Sequence, residues 1–142
     1  MENANQEFDT KDVKVLIVED DKFLQKILIT KFLADGFDVC SAADGEEALA
    51  VFQKEKPSLV LLDLILPKMS GFEVLTEMKL SSKSKKIPVI VISNLGQQED
   101  IFRVKELGAI DFLIKADWSI NAMVKKVKEL YTMYLQHGDN NK

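Results

Sequence analysis

Two rhythms of apolar residues take turns along this chain. Short runs with little polar alternation, "VKVLIVE" (13–19), "LVLLDLI" (59–65) and "PVIVIS" (88–93), have the pattern of strands buried on both faces. "AIDFLIK" (109–115) and the more polar "DVCSAA" (38–43) add two more, the latter suited to an edge. Each run is followed by a segment with helical spacing. In "DKFLQKILITKFLADG" the apolar positions Leu24, Ile27, Leu28 and Phe32 share one face, and Gly36 ends the helix. The segments "DGEEALAVFQKE", "SGFEVLTEMKL", "QQEDIFRVKELG" and "SINAMVKKVKELYTMYL" complete five strand and helix pairs. Ser70 should cap the third helix beside a permissive Gly71, Pro67 should close the strand before it, and Gly108 should end the fourth. Alternation of this kind predicts parallel strands joined by right-handed helical crossovers, a doubly wound α/β domain.

In such a fold the carboxyl ends of the strands face one crevice. Reading those ends gives Glu19, Asp20 and Asp21 after the first strand, Asp63 at the third, Ser93 and Asn94 after the fourth and Lys115 after the fifth. Asp63 interrupts an apolar run, where a carboxylate is costly, so it needs a reason. Asp21, just before "KFLQKIL", fits the cap of the first helix. Glu19 and Asp20 precede that cap and repel each other unless a cation shares them. A hard divalent ion such as Mg2+, with Mn2+ as its stand-in, takes carboxylate oxygens, and Asp63 would complete the site. Read singly, Ser93 is an ordinary strand-end residue and Lys115 a surface lysine. Read together around Asp63 they supply a donor and a cation, which describes a pocket for a phosphoryl group. An Asp carboxylate can attack phosphorus to give an acyl phosphate, with metal and lysine neutralising the developing charge.

Composition narrows the class. The chain has 142 residues, 46% of them hydrophobic, enough for one buried core. No apolar window is long enough for a membrane span and the first residues do not resemble a signal peptide, so the expected location is cytoplasmic, without a membrane partner. Cys40 stands alone and permits no internal disulfide; a small buried strand residue is its simplest reading. Of the net charge of −4, the first twelve residues carry −3. Lysines cluster at "SSKSKK" and "VKKVK" without interleaved aromatics, so no nucleic-acid partner is expected.

The motifs "VLIVEDD", "AADGEEAL", "LVLLDLILPKMSGFE", "PVIVIS" and "GAIDFLIK", in this order and spacing, resemble the receiver domain of bacterial two-component response regulators. The resemblance spans residues 13 to about 135. It implies a flavodoxin-like (βα)5 three-layer sandwich with strand order 2-1-3-4-5. It also implies that Asp63 is phosphorylated by a histidine kinase or a phosphotransfer protein. Asp20 and Asp63 would bind Mg2+ directly, with Glu19 helping through water and the Ile65 carbonyl as a further ligand. Ser93 would bond the phosphoryl group, and Lys115 would pair with Asp63 or its phosphate. Phe112 occupies the aromatic switch position, where an ordinary packed ring would look the same. Switching in the family alters the surface of helix four, strand five and helix five.

Two positions depart from the family pattern. Ala116 follows Lys115 where proline is usual; a cis bond without proline is costly, so a trans peptide or a rearranged loop is expected. Asn94 replaces a small residue after the hydroxyl position, which bears on access to the phosphate. The expected organisation is a disordered acidic extension over 1–12, a receiver domain over 13–136 and a polar tail over 137–142 that holds His137, with no output domain. Ile120, Met123, Val124, Val127, Tyr131 and Tyr134 should form the buried face of helix five, leaving Met133 and Leu135 outside. The expected function is a stand-alone switch, monomer or weak dimer, that binds an unidentified downstream protein and turns over no external substrate. A receiver-like module that takes no phosphate is the main alternative. A phosphatase of the haloacid dehalogenase type would carry a second Asp two residues after the first, where this chain has Ile65. A flavodoxin-like electron carrier lacks support, because no phosphate-cradling loop follows strand one.

Overall fold

A computed structural model describes residues 8–137. Five strands, β1 (Lys14–Val18), β2 (Asp38–Ala42), β3 (Leu59–Leu62), β4 (Val89–Ser93) and β5 (Asp111–Ile114), alternate with five helices. These are α1 (Lys22–Ala34), α2 (Gly45–Glu55), α3 (Gly71–Met78), α4 (Gln98–Glu106) and α5 (Ile120–His137). All strands are parallel, in the order β2-β1-β3-β4-β5. This is the flavodoxin-like order that the resemblance implies. β1, β3 and β4 are buried almost throughout, whereas β2 lies at an edge and is largely half-exposed.

The sheet divides the core in two. Leu28 and Phe32 of α1 join Met123, Val124, Val127 and Tyr131 of α5 on one face, over Val15, Ile17, Leu59, Leu61, Ile90 and Ile92. On the other face α2, α3 and α4 bring Ala48, Phe52, Val74, Leu75, Met78 and Val104 onto Leu16, Val18, Val60, Leu62, Val89 and Val91. Successive strand residues point to opposite faces, so an apolar run with no polar alternation serves both layers.

The helix ends follow local chemistry. Asp21 accepts from the amides of Phe23 and Leu24, and Ser70 and Glu73 form a reciprocal capping box at α3. Gly36 and Gly108 take φ of 92° and 110° just past α1 and α4. β3 stops at Leu62, one residue before Asp63 and well before Pro67, whose carbonyl accepts from Gly45 and Met69.

Three expectations need correcting. Residues 8–12 are ordered: Asp9 caps a 3-10 turn over Thr10–Asp12, and the Phe8 ring packs edge-on against Tyr131, centroids 5.2 Å apart. An aromatic residue found a half-covered hollow where acidic composition suggested disorder. His137 belongs to α5 rather than to the tail. Cys40 is half-buried rather than fully buried, and burial pushes its thiol up to about 11. Residues 1–7 and 138–142, the rest of the expected extension and tail, lie outside the described residues.

Lys79, at the C-terminus of α3, donates through Nζ to the carbonyls of Lys85 and Ile87, and burial lowers its pKa to about 8. A neutral amine still has protons for both carbonyls, so the low value does not break these bonds. The unfolded chain binds this proton up to a higher pH. Unfolding free energy should therefore rise between about pH 8 and 10.5, by roughly 1–2 kcal/mol. Urea titrations of wild type and Lys79→Met at pH 7.5 and 10 check this: the increment disappears in the variant.

Candidate functional site

Because the strands are parallel and in register, with Val18 level with both Ala42 and Leu62, the residues that follow them meet at one edge. Glu19 continues β1, its amide donating to Ala42 O (3.0 Å), and Asp63 continues β3, its amide donating to Val18 O (3.1 Å). Both carboxylates are deep, with Glu19 1% and Asp63 4% exposed. Asp20 and Asp21 are exposed; Asp21 is occupied as the α1 cap.

Lys115 reaches these acids from the far side of the sheet. Its Nζ donates to Asp63 Oδ2 at 2.8 Å and lies 2.6 Å from Glu19 Oε1. Glu19 Oε2 accepts from the Asp21 amide at 3.0 Å, and Asp63 Oδ1 accepts from the Ile65 amide at 3.3 Å. Burial works against the Lys115 charge, but the hydrogen bonds and charges of Asp63 and Glu19 outweigh it and raise its pKa. Burial also raises the Glu19 pKa, against the pull of Lys115 and the Asp21 amide. Glu19 thus shares the Lys115 cation with Asp63, at 2.6 Å and 2.8 Å.

Carboxylate oxygens of Glu19, Asp20 and Asp63 lie within 4.8 Å of one another. Three oxygen donors of this charge, one of them on an exposed side, fit a hard divalent cation that keeps several waters. Ile65, two residues past Asp63, is 58% exposed at the same rim. Ser93 is fully buried and its hydroxyl accepts from the Leu95 amide at 3.2 Å. Phe112 is buried in the core formed with α2, α3 and α4, and either reading of it, switch or packed ring, accommodates that position.

The Lys115–Ala116 peptide is not cis; Lys115–Asp117 forms a 3-10 turn, and Ala116 donates its amide to Asn94 Oδ1 at 2.9 Å. Two other residues escaped the sequence reading as parts of the site. Gln25 Nε2 donates to the carbonyls of Glu19 (2.9 Å) and Ala42 (3.1 Å), tying the ends of β1 and β2 together. Its signal was a polar side chain one turn after the Asp21 cap. Gly71 begins α3 directly on the backbone of Asp63: an added Cβ would lie 2.4 Å from Asp63 O.

A doubly wound parallel sheet with buried acids and a lysine at its carboxyl edge defines an acidic site built for a cation and an anion together. The family model of the response regulator receiver domain matches residues 15–128. The chain therefore belongs to the receiver-domain family of two-component response regulators, whose members bind Mg2+ at an acidic pocket and accept phosphate from histidine kinases. It is 41% identical over 102 residues to the probable transcriptional regulator ycf27 of Porphyridium aerugineum, covering 72% of this chain and 41% of that protein. Among solved structures it resembles the receiver domain of Francisella response regulator 1452, with 30% identity, a TM-score of 0.75, and coverage of 85% of this chain and 98% of that one. It also resembles a chain of the CheX–CheY–BeF3–Mg2+ complex from Borrelia burgdorferi, with 31% identity, a TM-score of 0.76, and coverage of 84% and 89%. The chain spans less than half the length of the curated relatives it matches. Those relatives are named as transcriptional regulators, so the expectation of no nucleic-acid partner gains no support from them. Among the described residues no helix is long and apolar enough to cross a membrane.

Proposed function

We propose that this chain is a Mg2+-dependent phosphorylation switch whose acceptor is Asp63. The observation that carries this is the Lys115 ammonium, 2.8 Å from Asp63 Oδ2 and 2.6 Å from Glu19 Oε1, at the bottom of a cluster of oxygen donors. Bound Mg2+ supplies charge to the oxygens of the transferring phosphoryl group. Glu19, Asp20 and Asp63 would hold it, with the Ile65 carbonyl as a further ligand. Asp63 attacks phosphorus; the P–N bond of a donor phosphohistidine breaks as the P–O bond to Asp63 forms. Lys115 then pairs with a phosphoryl oxygen in place of the carboxylate, and the Ser93 hydroxyl, which accepts from the Leu95 amide, donates its proton to another phosphoryl oxygen.

The donor is a cytoplasmic histidine kinase or phosphotransfer protein, and the chain turns over no substrate besides its own aspartyl phosphate. The output leaves through α4, β5 and α5, coupled by Ser93 and Phe112, to a protein partner. The curated relatives, named as transcriptional regulators and more than twice as long as the matched stretch, make a DNA-binding effector the competing form of output.

Intact mass after incubation with acetyl phosphate tests the reading. A gain of one phosphoryl unit that requires Mg2+, is removed by hydroxylamine and is absent from Asp63→Ala is the expected result. No adduct from acetyl phosphate or from phosphorylated kinases would leave a receiver-like module that acts by constitutive binding.

A further inference from the structure

Lys115 stands on a one-turn 3-10 segment, and one loop grips the chain on both sides of it. After the lysine, Ala116 N donates to Asn94 Oδ1 at 2.9 Å. Before it, the Ile114 side chain packs over Gly96, where an added Cβ would come within 2.9 Å of Ile114 Cδ1. The loop itself is stitched at its base by the Leu95 amide on Ser93 Oγ. Residues 93–96 thus fix positions 114 and 116, and Lys115 between them is directed at Asp63 and Glu19. The first amides of a helical turn have no acceptor within the turn. For Ala116 the acceptor comes from Asn94, 22 residues away in sequence.

We infer that Asn94 is the positioning residue of Lys115: its amide oxygen anchors the backbone at 116 and so sets where the ammonium lies relative to Asp63 and Glu19. The rate effect rests on Asp63 being the phosphoacceptor, as proposed above. A lysine held in line stabilises charge on the phosphoryl oxygens without reorganising at the moment of transfer. Losing the anchor lowers the fraction of time the lysine is aligned but leaves the lysine in place. Asn94 is exposed, so its bond has the modest net strength of a solvent-accessible hydrogen bond and its loss slows the reaction without abolishing it. Asn94 and Ala116 are also interdependent. A residue 116 without an N–H has no use for an acceptor at 94.

The test uses the whole chain with Asn94→Ala, Asn94→Asp, Ala116→Pro and the double variant Asn94→Ala/Ala116→Pro. Phosphorylation by acetyl phosphate and Mg2+ is timed, and in the metal-free protein NMR follows Ala116 amide exchange and the Lys115 Cε resonance. Asn94→Ala should slow phosphorylation by about threefold to tenfold, speed Ala116 exchange and move the Lys115 resonance. Asn94→Asp keeps an acceptor and should restore Ala116 protection. Asn94→Ala should add nothing when residue 116 is proline. Unchanged Ala116 exchange and Lys115 resonance in Asn94→Ala would overturn the inference, as would the same slowing with alanine and with proline at 116. If the wild type takes up no phosphoryl group, the proposed function fails, while Ala116 exchange and the Lys115 resonance still decide the role of Asn94. If Ala116→Pro does not fold, the contrast between Asn94→Ala and Asn94→Asp decides it.

Discussion

Lys115→Met unfolds about 3 kcal/mol more easily than the wild type when Mg2+ is chelated, and added Mg2+ recovers much of the loss. Methionine keeps most of the aliphatic stem, so the deficit is electrostatic. Without the ammonium, Glu19 and Asp63, 1% and 4% exposed, face each other with no counter-charge. The divalent cation supplies one, so Mg2+ stabilises the variant more than it does the wild type. The pH dependence has a definite sign. The Glu19 pKa is already raised by burial, and loss of Lys115 raises it further. In the variant the folded state then takes up a proton at a higher pH than the unfolded chain does. Its stability deficit shrinks as pH falls through the folded-state pKa. Urea unfolding in EDTA and in Mg2+, from pH 5 to 8, checks both effects. Wild-type stability in both buffers would remove Lys115 as the counter-ion of the site.

Gly71→Ala destabilises the fold by about 2–4 kcal/mol and slows the phosphoryl transfer proposed for Asp63, although Gly71 carries no reactive group. Helix propensity alone has the opposite sign, since alanine is favoured over glycine by about 1 kcal/mol in a helix interior. The added Cβ would lie 2.4 Å from Asp63 O and 2.5 Å from Leu64 Cα. Both are backbone atoms, so no rotamer relieves the contact and the start of α3 must back away, straining the Gly71 N to Leu64 O bond of 2.8 Å. Thermal melts and acetyl phosphate time courses read the two effects. A melting temperature at or above that of the wild type would show that the junction can yield.

Most of the architecture was legible because its determinants are local or periodic. Asp21 and Ser70 cap the helices they precede, and the apolar face of α5 follows its spacing. On α1, Leu24, Leu28 and Phe32 lie on the core as expected, but Ile27 is exposed and Ile29 packs there instead. The site acids were legible through topology: Glu19 and Asp20 follow one apolar run and Asp63 interrupts another, and parallel pairing brings the two strand ends together. Contacts between loops were not. Asn94 and Ala116 looked like two separate departures from a family pattern, because a side-chain to backbone bond across 22 residues leaves no periodicity to read. Gly71 reads in sequence as a conformationally permissive residue, yet its place comes from the close approach of α3 to Asp63. Phe8 was hidden by acidic neighbours, and its partners Phe37 and Tyr131 are distant in sequence.

That aromatic cluster also fixes where the described residues begin and end. Phe8 leads into β1 and packs on Phe37, which sits just before β2; Tyr131, its other partner, lies in the last turns of α5. The Tyr134 hydroxyl, one turn further, donates to the carbonyl of Lys86, which precedes β4. Phe8 and the last turns of α5 are therefore neighbours at the amino ends of the strands, the pole opposite Asp63. A segment that starts just before Phe8 or just after His137 would leave from this one pole, with both packed layers of the core between it and Asp63.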